Sequence, residues 1–515
     1  MTRYTLYPRL MGKLASLSSA KPAFEIYQTL CPRKQTPKPR YAAVRKLFLP
    51  GTEGLEILDS AALVLYFPGP QTVTGEDVLE LHVHGGSATV KAVLSAISKC
   101  ASDGHIRYAE PGEFTKRAFA NDRLDLAQVE ALSDMLAAET EQQRRAAVRG
   151  SSGSLGRTYE DWRRRLLQAR AEMEALIDFQ EDQHFDESPA SLVGSVSHQV
   201  RDILKSIKVH EMASQRTELL RNGIQVALLG PPNAGKSSLM NQIVGREASI
   251  VSGESGTTRD IIEANLDIRG YLCTFADTAG FRASTMSSTT SATQLETRIG
   301  AVEEEGIRRA RARAIQSDVI IVLASVEEHT TGGYEIRYDL ETLKLAAACE
   351  QRLVLINKID AAPKADVATL VRDFTEKVLK KIPGLDDVIP TLISCKEARN
   401  QGSDPRDPGG VRLVADQLVL AFQNMTSLPA SLQDLHGVTE RQRQLLVECR
   451  NNLEEYAEVT GGVDEETGQN EEAAHDIDLT MAAEHLRYAA SCLGRITGRG
   501  EAGDVEEILG VIFEK

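Results

Sequence analysis

A chain of 515 residues is long enough for about three domains and a sizeable core. Its content, 42% hydrophobic and 26% charged, is that of an ordinary globular protein, and a net charge of −15 argues against a surface coated for nucleic-acid binding while leaving room for a local basic patch. The seven cysteines are scattered without a C-x-x-C pair, so neither a zinc site nor a disulfide framework is indicated, and the longest apolar runs, such as Val319–Ala324, are far too short to span a bilayer.

In chain order, the first 24 residues carry Arg3, Arg9, Lys13 and Lys21, no acid, and frequent Ser and Thr. That composition suits an organelle transit peptide, a disordered tail or a misjudged start. From about residue 40 to 125, short apolar runs mix with turn signals ("AALVLYFPGP", "LELHVHGG") and a helix-like run from Val90 to Ile97, which predicts a compact α+β domain. Within it, His82 and His84 alternate as an H-x-H metal pair would, but with no third ligand in view they read as partly buried strand residues. From Leu126 to about Leu220, Ala, Leu, Glu, Gln and Arg dominate, and "DLAQVEALSDMLAAETEQQRRAAV" predicts helix. From Ile224 to about Phe422, apolar strands ("IQVALLG", "CTFADTAG", "SDVIIVLA", "RLVLINKID", "IPTLISCK") alternate with helical segments, the rhythm of a parallel sheet covered on both faces. Helical character returns after Leu428, so the strand-rich domain reads as an insertion into a helical one. Ser/Thr-rich 282–298, Gly/Pro-rich 395–410 and acidic 458–476 read as loops, the last as a solvated insertion or a docking tail.

The inserted region carries the chemistry. "GPPNAGKS" fits G-x-x-x-x-G-K-[ST] directly after an apolar strand and before a helical segment, so Asn233, Ala234, Gly235, Lys236, Ser237 and Ser238 predict a phosphate loop. Backbone N–H groups would cradle the phosphates, Lys236 would reach the β- and γ-phosphates, and Ser237 would give its hydroxyl to Mg²⁺. "SGTTRD" offers Thr258 as a second Mg²⁺ hydroxyl; "DTAG" offers Asp277, Thr278, Ala279 and Gly280 near the γ-phosphate. "NKID" places Asn357, Lys358 and Asp360 at a strand end, where a carboxylate can take the two adjacent N–H donors of guanine that adenine lacks. Ser394, Cys395 and Lys396 in "ISCK" read as a second contact to the base. Phe281, rather than Gln, follows Gly280, and no internal arginine finger is evident; Asn233, three residues before Lys236, offers an oxygen for K⁺ in its place.

These motifs and their flanks resemble the MnmE (TrmE) family of tRNA-modification GTPases. "FPGPQTVTGEDVLELHVHGG", "PGEFTKRAFANDRLDLAQVEAL", "SIVSGESGTTRD", "DTAGFR", "EEGIRRAR" and "LGRITGRGEAGDVEEILGVIF" carry the resemblance, over roughly residues 20 to 513. It implies an α/β plus α protein: a possible transit or atypical segment at 1–20, an N-terminal α+β folate-type, dimerising domain at 21–125, a helical domain at 126–221 and 426–515, and between them a Ras-like P-loop G domain with a mostly parallel sheet at 222–425. It implies a GTPase that acts at C5 of the wobble uridine of tRNA with a flavoprotein of the MnmG (GidA) type, as a homodimer. The one-carbon donor would be 5,10-methylene- or 5-formyl-tetrahydrofolate, with K⁺-dependent pairing of G domains. By the same resemblance K⁺ falls to Asn233, Ser252, Glu254 and Thr257, folate to Glu80 and Arg123, and the catalytic carboxylate to Glu303, with Glu304 and Glu305 as close rivals. The basic amino terminus and long insertions suit a mitochondrial matrix protein.

Two departures stand beside it. Residues 1–20 do not resemble the family's glycine-rich first strand, and the chain stops at "VIFEK" where the family has a Cys-Ile-Gly-Lys-like tail. Either the sequence is incomplete at both ends, or the modification chemistry is impaired while hydrolysis persists. The alternative functions are a ribosome-assembly switch GTPase, which asks for an RNA-binding appendage not seen here, and a scaffold that holds GTP without turnover, against which the intact "DTAG" and "GTTRD" loops count.

Overall fold

The computed structural model describes residues 2–6, 14–18, 20–32, 34–52, 56–100, 106–179, 189–251, 264–276, 315–329, 332–400, 407, 409–461 and 477–499. The chain divides into two compact units. One comprises Met1–Ser133, Ser151–Ile207 and Arg441–Lys515; the other comprises Asp134–Gly150 and Lys208–Glu440.

In the first unit, β1 (Thr2–Leu6), β2 (Leu14–Ser18), β3 (Ala43–Phe48), β4 (Ile57–Phe67), β5 (Val78–His82) and β6 (Ile106–Tyr108) form a six-stranded sheet in the order β3-β4-β5-β2-β1-β6. Every neighbouring pair is antiparallel except β1 with β6. The segment before residue 20, which composition alone leaves without a strand assignment, thus supplies two central strands. The alternation of β5 sets its faces: Leu79 and Leu81 are fully buried, whereas Glu80 and His82 point the other way and keep partial access to solvent. Two helices cover the apolar face. Ser87–Ser98 turns Val90, Val93, Leu94 and Ile97 inward at helical spacing, and Ala20–Leu30 adds Ala23, Ile26, Tyr27 and Leu30 to the same core.

The rest of this unit is a bundle whose sequence repeat is coiled-coil-like. On helix Ser154–Phe179 the buried residues are Leu155, Tyr159, Trp162, Leu166, Ala169, Met173 and Leu176, alternating spacings of four and three. The same alternation places Ala482, Leu486, Ala489, Leu493 and Ile496 inside on helix Leu479–Thr497, which packs along Ser154–Phe179. It recurs as Gln442, Leu446, Cys449, Leu453 and Tyr456 on helix Glu440–Val459. One polar cluster ties these helices at an end. Glu130 Oε2 accepts from Gln442 Nε2 at 2.6 Å, and Glu130 Oε1 accepts from Arg441. The Arg441 guanidinium also donates to the carbonyls of Arg495 and Ile496 at 3.0 and 3.1 Å, satisfying the last turn of Leu479–Thr497.

In the second unit, β7 (Ile224–Leu229), β8 (Ala248–Ile250), β9 (Ala264–Ile268), β10 (Tyr271–Ala276), β11 (Val319–Glu328), β12 (Tyr334–Arg337), β13 (Gln351–Asn357) and β14 (Thr391–Leu392) form an eight-stranded sheet. The order is β14-β13-β11-β7-β10-β9-β8, with β12 paired to the end of β11. The β14–β13–β11–β7–β10 ladders are parallel, and the β10–β9, β9–β8 and β11–β12 pairs are antiparallel. Strand β11 is buried on both faces: Ile321 and Leu323 join a core with Leu239, Ile243, Val414, Leu418 and Phe422, and Ile320, Val322 and Ala324 join another with Leu343, Ala346 and Phe374. The continuous apolar run in the sequence has this cause. The expected architecture, α/β plus α with an inserted P-loop domain, is the one observed. Among the described residues, no helix is long and apolar enough to cross a membrane.

Two histidines of the second unit are buried without charge. Burial pushes His210 down to about 4, and His436 is likewise held at about 4 by burial and by Arg149 and Arg216. The unfolded chain takes up protons near pH 6.5 that the fold refuses, so this stability is present in full above that pH and is lost as pH falls toward 4. Urea unfolding of the second unit is expected to show a midpoint that drops between pH 6.5 and 4.5, with a shallower drop in His210→Gln; equal slopes in both proteins would remove the assignment.

Candidate functional site

The parallel strands deliver their C-terminal ends to one edge, where the loops after β7, β13 and β14 converge. After β7 the chain turns through Gly230 and Gly235, at φ of 142° and 102°, into helix Lys236–Arg246. Any side chain here would force its neighbours to shift: a Cβ on Gly230 would lie 2.2 Å from the Leu323 carbonyl oxygen, and one on Gly235 would lie 2.2 Å from Asn357 Nδ2. Asn233 also sits in the left-handed region at φ 62°, so the loop is built from residues that tolerate that conformation. Lys236 folds back over the loop, with Nζ donating to the carbonyls of Gly230 and Pro231 at 2.7 and 2.9 Å. Ser237 lies half-buried in the first helical turn, and Ser238 is exposed. The N–H groups that open that helix and its dipole suit an anion.

Asn357, at the end of β13, is buried and uses both ends of its amide. Nδ2 donates to the Ala234 carbonyl at 2.8 Å, and Oδ1 accepts from the Cys395 N–H at 3.2 Å. The residue expected as a base contact therefore joins the phosphate loop to the loop after β14. Three residues on, Asp360 Oδ1 accepts from the Ser394 hydroxyl at 2.6 Å, and Oδ2 lies 3.6 Å from Lys396 Nζ. Ser394 Oγ in turn accepts from the Glu397 N–H at 3.1 Å, opening helix Cys395–Asn400. Burial raises the Cys395 thiol to about 11. Arg246, in the helix after the phosphate loop, donates to the Ala398 carbonyl and ties that helix to the same loop.

Lys358 is at φ 62°, and its Nζ lies 3.0 Å from Glu327 Oε1. Sequence reasoning did not single out Glu327. Its signal is slight: a carboxylate just past an otherwise apolar strand run. Burial works against its charge, but hydrogen bonds from Lys358, Arg337 and Ser325 outweigh that and hold the carboxyl below its ordinary value. The structure thus assembles Ala234, Gly235, Asn357, Asp360, Ser394, Cys395 and Lys396 at one edge. Ser252, Glu254, Thr257, Thr258, Asp277, Thr278, Ala279, Gly280 and Glu303 lie outside the described residues.

In the first unit, Glu80 Oε2 is 3.3 Å from His82 Nε2. Arg123 donates from Nε to the Thr72 carbonyl at 2.9 Å, bracing the loop between β4 and β5 together with Asn121, which donates to the Thr74 carbonyl at 2.8 Å. His82 and His84 have separate partners: His84 Nδ1 is 2.9 Å from Asp59 Oδ1. Among the described residues, no group of His, Cys, Asp and Glu is placed to hold a metal ion.

A family model described as the MnmE helical domain matches residues 126–515, and one described as the GTP-binding protein TrmE N-terminus matches residues 16–123. The tRNA modification GTPase MnmE of Parvibaculum lavamentivorans is 37% identical over 453 residues, covering 88% of this chain and 84% of that protein. The human mitochondrial 5-taurinomethyluridine-[tRNA] synthase subunit GTPB3 is 35% identical over 486 residues, covering 93% of this chain and 85% of that protein. Its zebrafish (Danio rerio) counterpart is 34% identical over 485 residues, covering 93% and 85%.

The Gly235–Asn357 approach makes a sharp prediction. Gly235→Ala drives a methyl into the Asn357 amide and is expected to weaken guanine-nucleotide binding by about tenfold or more, through lost buried hydrogen bonds. Titration with a fluorescent GDP analogue checks this, and unchanged affinity would show the joint to be dispensable.

Proposed function

The chain belongs to the MnmE family of tRNA modification GTPases, and from that premise we propose that it is the GTP-hydrolysing subunit of a complex that modifies C5 of the wobble uridine in tRNA. The group added is of the carboxymethylaminomethyl or taurinomethyl type. The observation that carries the reading is the Asn357 joint, which unites the phosphate loop with a base loop in which Asp360 is oriented by Ser394. A carboxylate so fixed matches the paired donors of guanine and penalises adenine, which would leave it unpaired. The glycine cradle, too tight for any Cβ, fits a phosphate held by backbone N–H groups.

The cofactor assignments follow from the family resemblance, and the donor chemistry suits them. Ser237 and Thr258 would hold Mg²⁺, and Asn233, Ser252, Glu254 and Thr257 would hold K⁺; hydroxyl, amide and carboxylate oxygens suit hard cations. When bound, the two ions supply positive charge against the phosphates. Glu303 orients the attacking water through a bridging water, and Lys236 reaches the phosphates once its arm leaves the loop carbonyls. In the region 21–125, Glu80 and Arg123 would hold a tetrahydrofolate, the carboxylate suiting the pterin N–H donors. The Arg123 Nε is already engaged with the Thr72 carbonyl, which leaves its terminal guanidinium nitrogens for that role. The partners are a flavoprotein of the MnmG type, tRNA, and a second copy of the chain through that same region. The mitochondrial relatives support a matrix location.

Two measurements test the proposal. GTP turnover by the purified protein is expected to be about tenfold or more faster in K⁺ than in Na⁺, since the cation replaces an arginine's charge; equal rates would remove the K⁺ assignment. Nucleoside analysis of tRNA from a deletion strain is expected to lack the wobble-uridine modification, and an unaltered profile would leave only the hydrolytic activity.

A further inference from the structure

We propose that Glu327, carried past the sheet edge on the β11–β12 hairpin, is a positioning residue for Lys358 and through it sets the affinity for guanine nucleotide. This rests on the guanine reading of the base loop given above.

The argument begins with register. Strand β13 pairs with β11 up to Asn357 opposite Ser325, and there β13 ends. Strand β11 runs three residues further, to Glu328, and β12 holds that extension with Ser325 opposite Arg337 and Glu327 opposite Glu335. Without β12 this stretch would have no ladder beyond the register end. Because side chains alternate along a strand, Ser325 and Glu327 share one face. On that face the two carboxylate oxygens are divided. Oε1 accepts from Ser325 Oγ at 3.0 Å and from Lys358 Nζ at 3.0 Å, and Oε2 accepts from Arg337 at 3.2 Å. Glu327 is thus held from its own strand and from the hairpin partner before Lys358 reaches it.

Lys358 is the residue that needs such a partner. Its backbone is fixed in the left-handed region between Asn357 and the short turn Ile359–Ala361. Its four-carbon stem would otherwise sample many rotamers, and ordering it on binding costs affinity. Anchoring Nζ on Glu327 fixes both ends of the stem and leaves its methylenes as a preformed apolar surface beside the base loop, as long cationic side chains commonly do. The pair keeps partial access to solvent, so its contribution lies in pre-organisation rather than in Coulomb energy.

The test is a double-mutant cycle on the full chain, read by titration with a fluorescent methylanthraniloyl-GDP. Glu327→Ala is expected to raise Kd about three- to tenfold, the isosteric Glu327→Gln by less, and Arg337→Ala by about twofold. Lys358→Ala with Glu327→Ala together should bind no more weakly than Lys358→Ala alone, because the carboxylate acts only through the lysine. Additive losses, or an unchanged Kd in Glu327→Ala, would overturn the proposal. A purely structural role would lower the thermal midpoint in Glu327→Gln while leaving its Kd unmoved, which also overturns it. Wild-type protein that fails to bind the probe would instead sink the guanine reading, and this inference with it.

Discussion

One buried amide governs the nucleotide edge. Asn357 has no access to water on either side, so each of its polar atoms must find a protein partner or cost on the order of 1–3 kcal/mol. Its donors go to the phosphate loop at Ala234 and its acceptor to the loop after β14 at Cys395. Two loops far apart in sequence are thereby held at one separation. Gly235 follows from this: a Cβ there would lie 2.2 Å from the amide nitrogen that reaches the Ala234 carbonyl. Arg246 adds a second tie nearby, joining the helices that follow the two loops. The backbone cradle at Ala234 and the loop after β14 are therefore preformed, while the Lys236 arm still folds back on the loop.

In the first unit the corresponding constraint is the cluster of Glu130, Arg441 and Gln442. Gln442 is fully buried and Glu130 nearly so, and the arginine between them closes the end of a helix whose last carbonyls would otherwise be unpaired. A buried ion pair is a weak source of net stability, because desolvation cancels much of the attraction. Its value here is registry. Heptad surfaces of Leu, Ala and Met can slide by a turn at small cost, whereas a guanidinium that must meet one glutamate and two particular carbonyls cannot.

Much of this was legible in the sequence. The strand segments around Val226, Phe275, Ile321 and Leu355 stood out because burial on both faces demands unbroken apolar runs, and the phosphate and base loops stood out because glycine and carboxylate positions there are dictated by ligand chemistry. The strands before residue 20 were hidden: their composition is basic and Ser/Thr-rich, and they are defined by pairing with β5 and β6, more than sixty residues away. The bracing role of Asn357 was hidden for a like reason, since its partner Ala234 lies 123 residues earlier. Arg123, legible as a possible ligand contact, is also a loop brace, and nothing local distinguishes the two uses. The residues around Glu303 gave a motif without a described geometry, so their roles rest on resemblance.

The pairing of helix Ser154–Phe179 with helix Leu479–Thr497 has a consequence for biosynthesis. The two segments are separated by about 300 residues, and the first leaves the ribosome long before the second exists. During that interval its row of Leu, Met, Tyr and Trp lacks its partner on Leu479–Thr497, while the second unit, whose last segment ends at Glu440, has time to fold. The order of translation therefore completes the second unit before the first, and the half-made first unit, with its apolar seam bare, is the stage at which a nascent chain would most need a chaperone.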